Sequence, residues 1–230
     1  LLNATSGIAD FEKDGDIVYE EFFTSDYILE HYCSGKLINK PGKVFNYNNA
    51  DYIILGKIIE AISGQSFAQV LNKQILQPLG LKNTGMLNYM VVEGLADSYM
   101  YNDSTGIIER DVPYYPENYY TSGGMYSSAY DLMKFSNALF TNTLLSQETF
   151  DILLTPELEA YASGLWVFNF WINDDIQPKV AFRPGNIWGT EAVFIRFFDN
   201  DLSIIVLSNM AGTFNMRDFQ YNLVKSLSEK

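Results

Sequence analysis

At Gly164 the chain changes texture, and that switch constrains its fold more than any other feature. Before it, apolar residues recur at helical spacing; after it come runs rich in β-formers, so helices and strands are segregated along the sequence and the fold is α+β. Asn48 or Asn49 caps a helix carrying Ile53, Ile54, Ile58, Ile59 and Ile62 on one apolar face, and Gly64 ends it. Ser66 caps a second helix, whose buried stripe is Val70, Leu71 and Ile75, and Gln77-Pro78-Leu79-Gly80 stops it. Ser128 and Asp131 have the spacing of a capping box ahead of Leu132, Phe135, Leu139 and Phe140, and Ser146 caps one more short helix. Beyond Gly164, the run Leu165 to Ile172 reads as a core strand. Glu191 to Phe198 and Leu202 to Ser208 flank Asp199-Asn200-Asp201 as an antiparallel hairpin. A last helix, about Asn215 to Leu227, places Phe219, Leu223, Val224 and Leu227 on the sheet.

With 47% hydrophobic residues in 230, the chain buries a sizeable core, and it contains no repeat, low-complexity tract or linker. A net charge of -13 disfavours nucleic acid and anionic membrane as partners, because the molecule's field repels phosphate. Cys33 is the only cysteine, so no internal disulfide exists and the compartment stays open. No apolar run is long enough to span a bilayer, and the opening Leu1-Leu2-Asn3-Ala4-Thr5 lacks the pattern of a secretory leader. With no initiator Met, the chain is expected to be a fragment or a processed product.

Four segments carry a resemblance. Leu1-Leu2-Asn3-Ala4-Thr5-Ser6-Gly7-Ile8 comes first, and Pro41-Gly42-Lys43-Val44-Phe45-Asn46-Tyr47-Asn48-Asn49-Ala50-Asp51-Tyr52 contains a Tyr-x-Asn motif behind a Pro-Gly lead-in. Gln77-Pro78-Leu79-Gly80-Leu81-Lys82-Asn83-Thr84 and Ser122-Gly123-Gly124-Met125-Tyr126-Ser127-Ser128 follow. Together they resemble the serine β-lactamase and penicillin-binding protein family, including class C β-lactamases, DD-peptidases and related esterases. The resemblance implies a β-lactamase/transpeptidase-like fold: a helical subdomain plus an antiparallel sheet flanked by helices. It also implies that strands from the N-terminal end of the family's sheet are missing here. The expectation is a single incomplete domain over 1–230, mainly helical to about 160, with strands and the terminal helix from about 161.

The family's reaction is acyl transfer, in which the serine of a Ser-x-x-Lys motif attacks an amide, β-lactam or ester carbonyl. No serine of this chain has a lysine three residues on, so the nucleophile is expected upstream and the chain alone is expected to be inactive. By resemblance Tyr47 exchanges a proton with the lysine amine as general base and acid, and Asn49 bonds that lysine and the substrate amide. The run Phe182-Arg183-Pro184-Gly185-Asn186 matches the family's Lys/His-x-Gly motif with Arg183 in the basic position. A guanidinium grips a carboxylate in a bidentate manner but stays protonated, which argues against ordinary β-lactamase chemistry. Gly185 lets substrate approach, and the backbone N–H of Asn186 is one oxyanion donor. The implied partner is a small molecule or peptide carrying a carboxylate; no cofactor is implied, and the implied location is periplasmic, extracellular or at the cell envelope. Oligomeric state is not legible.

Two other functions compete. A catalytically dead relative would bind peptide or cell-wall fragments through Arg183, with the aromatic run Tyr114 to Tyr120 along a cleft. A calcium module would use Asp10, Glu12, Asp14 and Glu21, which occupy the first, third, fifth and twelfth places of an EF-hand loop with Gly15 at the sixth. No amphipathic helix leads into Asp10, which favours an acidic solvated loop. His31 is the only histidine, which leaves no zinc motif and no partner for Cys33 as a nucleophile; an exposed His31 and a packed thiol are expected.

Overall fold

The computed structural model describes residues 1–14, 21–87, 92–111, 115–212 and 215–228, excepting the side chains at 13, 14, 217 and 228. The chain divides into two compact units: Leu1–Leu95 with Pro113–Gly164, and Ala96–Val112 with Leu165–Lys230. The first unit ends at Gly164, and the segment Ala96–Val112 joins the second unit. The reason is pairing: Tyr99 and Met100 lie in parallel register with Met210 and Ala211.

In the first unit, α1 (Asn49–Ser63) is capped by Asn48, whose side chain accepts the Asp51 amide at 3.3 Å, and it ends at the left-handed Gly64. The expected isoleucine face does not become the buried face: Ile53 is fully buried, but Ile58, Ile59 and Ile62 are 41, 36 and 82% exposed. Packing decides this. A Cβ on Gly56 would stand 2.4 Å from the Thr121 hydroxyl, so α1 makes its close approach through its glycine side and the isoleucines turn outward. The next helix, α2 (Phe67–Leu71), opens with a full Ser66/Gln69 capping box. α3 (Ala129–Phe140) begins at Ser128, but Asp131 does not complete the expected box. Its carboxylate instead accepts from the Asn83 amide at 2.7 Å and the Thr84 hydroxyl at 3.0 Å, pinning the Leu79-to-Thr84 turn onto the helix. Ser146 caps α4 (Gln147–Leu154) as expected.

Among its described residues the second unit contains two sheets. β1 (Tyr99–Asn102) and β2 (Ile107–Arg110) form a hairpin, while β3 (Trp166–Asn169), β4 (Lys179–Ile187), β5 (Thr190–Phe197) and β6 (Ser203–Ser208) form an antiparallel sheet in chain order. The two-residue strand β7 (Met210–Ala211) completes the β1 sheet. The β5–β6 hairpin pairs from Glu191↔Ser208 to Arg196↔Ser203, and the buried Arg196 guanidinium closes its turn on the Asp201 carbonyl and carboxylate. Alternation places Val193, Ile195 and Phe197 on one face with Val180 and Ile204, and α5 (Met216–Ser228) covers that face through Met216 and Val224. Two expectations are corrected. The Leu165-to-Ile172 run holds a short edge strand with one partner among the described residues, and Trp171 is 59% exposed. Phe219 is 44% exposed because it lies outside the stripe set by Met216, Leu223, Val224 and Leu227.

Candidate active site

The first unit positions the Tyr-x-Asn turn with a clamp made from the chain's opening residues. The Asn46 amide donates to the Ala4 carbonyl at 2.8 Å, the Asn48 side-chain amide to the Ile8 carbonyl at 2.6 Å, and the Ser6 hydroxyl to Asp51 at 2.5 Å. On the other side, Gly42 donates to Thr5 and Ile38 to Gly7, both at 2.8 Å. The Thr5-Ser6-Gly7-Ile8 stretch is therefore a buckle between the Lys36-to-Gly42 loop and the start of α1. Gly7 is required at its centre: φ is +77° and a Cβ would lie 2.1 Å from the Asn39 carbonyl oxygen.

Within this clamp Tyr47 is 40% exposed, its ring edge-on to Tyr161 at 6.3 Å. Asn49 is the first residue of α1 and almost buried; its backbone amide donates to Asp10 at 3.1 Å. Its side-chain amide makes no hydrogen bond among the described residues. Because Asn48 takes the capping role, Asn49 is left available. Tyr47 and Asn49 thus share one rigid turn.

Asp51 is fully buried, and one of its oxygens has no partner among the described residues. Burial pushes its carboxyl above the ordinary 3.8, against the pull of the Ser6 hydroxyl. A carboxyl with a raised folded pKa binds its proton more tightly in the folded chain. Its contribution to stability is complete below about pH 4 and is lost as pH rises through the folded value. Asp51→Asn, which keeps an acceptor for Ser6, is expected to flatten that decline; urea midpoints of both proteins between pH 4 and 7 measure it, and parallel curves would refute it.

The second unit carries Arg183, Gly185 and Asn186 on β4. β3 pairs with β4 only from Lys179 to Phe182, so from Arg183 onward that edge of β4 has no strand partner among the described residues of the unit. The Arg183 guanidinium carbon lies 5.8 Å from the centre of the Trp166 ring, within cation–π range. At Gly185 an added Cβ would meet only the Ala192 Cβ, at 3.7 Å, so neither packing nor backbone requires glycine there. The Asn186 side chain reaches the Glu191 carboxylate at 3.5 Å, a weak contact.

The remaining candidates have other work. Asp10 accepts backbone amides and Glu12 accepts the Tyr119 hydroxyl at 2.9 Å, while the Asp14 side chain and Gly15 lie outside the described residues. Glu21 is exposed, and its backbone carbonyl accepts from Asn118. Among the described residues no three His, Cys, Asp or Glu side chains assemble into a metal site. His31 is exposed and stacked on Tyr27, and burial pushes the Cys33 thiol up to about 11, the reverse of an activated nucleophile. Of the aromatic run, Tyr114 lies outside the described residues, and Tyr119 is buried edge-on against Phe11.

The fold is that of the β-lactamase/transpeptidase-like proteins. The octameric penicillin-binding protein homologue from Pyrococcus abyssi superposes with a TM-score of 0.80 at 23% identity, covering 100% of this chain and 55% of that one. D-amino acid amidase from Ochrobactrum anthropi SV3, complexed with L-phenylalanine, gives 0.77 at 22%, covering 99% and 66%. The Beta-lactamase family model matches residues 1–226, and the chain belongs to that family. Among curated relatives, penicillin-binding protein 4* of Bacillus subtilis (strain 168) is 25% identical over 232 residues, 91% of this chain and 50% of its own length. The teichoic acid D-alanine hydrolase of Staphylococcus aureus is 25% identical over 179 residues, 77% of this chain and 43% of its own. The chain therefore spans about half the length of these curated relatives.

Proposed function

We propose that this chain supplies the Tyr-x-Asn and Arg-x-Gly parts of a serine acyl-transfer hydrolase whose Ser-x-x-Lys segment lies outside the 230 residues. The observation that carries the reading is the pairing, on one clamped turn, of a half-exposed Tyr47 with an Asn49 amide that nothing among the described residues satisfies. In the proposed reaction the serine oxygen adds to the substrate carbonyl while its proton passes to the lysine and Tyr47 pair. Tyr47 then returns a proton to the leaving nitrogen or oxygen, the scissile bond breaks, and water hydrolyses the acyl-serine. Tyr47 needs the lysine cation beside it, since an isolated phenol holds its proton at neutral pH. The Asn49 amide orients the lysine and the acyl-amide group. In this reading Arg183 is the group for a substrate carboxylate, Gly185 leaves room beside the open edge of β4, and the Asn186 N–H is one oxyanion donor.

The relatives named D-amino acid amidase, teichoic acid D-alanine hydrolase and penicillin-binding protein support a substrate with a hydrolysable acyl bond, handled at the cell envelope; the substrate carboxylate is assigned from Arg183. A second reading, a peptide-binding protein without turnover, is favoured by Arg183, which cannot move protons as His does. A fluorescent penicillin separates the two. The protein carrying Ser-x-x-Lys is expected to form a covalent adduct stable to denaturing electrophoresis, and these 230 residues alone none. Reversible binding without an adduct in the longer protein would decide for the binding protein.

A further inference from the structure

We propose that Asp10 is the positioning residue of the Tyr47-x-Asn49 turn, a remote second cap on α1 that fixes the orientation of the Asn49 side chain. A helix start exposes several backbone amides, and Asn48 satisfies only that of Asp51. From a sequence distance of 39 residues, Asp10 Oδ2 accepts the Asn49 amide at 3.1 Å, and Oδ1 accepts those of Ala50 at 3.4 Å and Phe11 at 2.9 Å. The residue is 7% exposed, and among the described residues its carboxylate has no cationic partner. Its counter-charge is the positive end of the α1 dipole.

The residue whose backbone it holds, Asn49, has a side chain without a hydrogen-bond partner among the described residues. Fixing that amide plane fixes the direction in which the Asn49 Cβ leaves the helix, and hence where its carboxamide stands. The consequence for catalysis rests on the function proposed above; the positioning itself does not.

The groups facing Asp10 are Glu12 on its own segment and the Cys33 thiol, which Asp51 also reaches. Burial pushes the Asp10 carboxyl above 3.8, the amide bonds of Asn49, Ala50 and Phe11 pull it back, and the nearby Glu12 raises it further.

The test uses the nitrogen-15-labelled chain alone and needs no serine or substrate, so its outcome is independent of any penicillin adduct. On acidification the backbone amides of Asn49 and Ala50 and the Asn49 side-chain amide are expected to shift along one common curve with its midpoint above 3.8. That curve should survive Asp51→Asn and vanish in Asp10→Asn, while resonances of the buried Ala138 and Leu139 in the same unit stay in place as evidence of an intact fold. Backbone amides that do not titrate, an Asn49 side chain that fails to follow them, or a curve that persists in Asp10→Asn would each overturn the proposal.

Discussion

Gly7→Ala is expected to lower the unfolding free energy by about 3 kcal/mol, from two causes that act together. The residue sits at φ +77°, where an L side chain is strained by about 1–2 kcal/mol. Its methyl would also be driven to 2.1 Å from the Asn39 carbonyl oxygen, a backbone atom that cannot rotate aside, and overpacking of this kind adds roughly 1–3 kcal/mol. Since a domain is stable by only about 5–15 kcal/mol, a single methyl would remove a large part of the margin. The affected elements are the Lys36-to-Gly42 loop and the N-terminus of α1, both tied to the Thr5-Ser6-Gly7-Ile8 buckle. Urea unfolding of parent and variant measures the effect; a midpoint shift worth less than about 1 kcal/mol would mean that the buckle relaxes without strain.

The second large effect is on chemistry rather than stability. In the polypeptide that includes Ser-x-x-Lys, Tyr47→Phe is expected to reduce acylation by a fluorescent penicillin or an activated ester by about 10²–10⁴-fold, the usual worth of a positioned general acid–base. Stability should change by less than about 0.5 kcal/mol, because Tyr47 is 40% exposed and phenylalanine keeps its edge-on packing with Tyr161. Stopped-flow acylation rates together with thermal melts distinguish the two. An unchanged acylation rate would remove Tyr47 from the mechanism, and a large loss of stability would make it a structural residue.

Much of this was legible from local sequence. The helix over Asn49–Ser63, the β5–β6 hairpin and the α+β order follow from caps, a left-handed Gly64 and period-two alternation, all properties of neighbouring residues. Side-chain burial was less legible. Ile58 and Ile62 read as a core face, yet Gly56 chooses the packed side of α1 through its close approach to Thr121, a residue far away in sequence. The β1–β2 hairpin joined the sheet unit through its parallel pairing with Met210 and Ala211, which no local periodicity announces. At the candidate site, Tyr47, Asn49, Arg183, Gly185 and Asn186 were proposed from motif spacing. The residues that hold the turn were not: Asp10 suggested a calcium loop, and Ser6 and Asp51 carried no local signal, because their bonds span 39 and 45 residues.

Those long spans govern when the turn exists. Joining chain positions some forty residues apart carries a loop-closure entropy on the order of 3 kcal/mol, which the individual hydrogen bonds recover only if they form together. The Tyr47 turn is therefore a late and cooperative feature of folding: a nascent or partly melted chain can contain α1 as a helix while lacking any ordered presentation of Asn49. Chemistry at this turn would switch on with the completed first unit and would not be seen in its separate pieces.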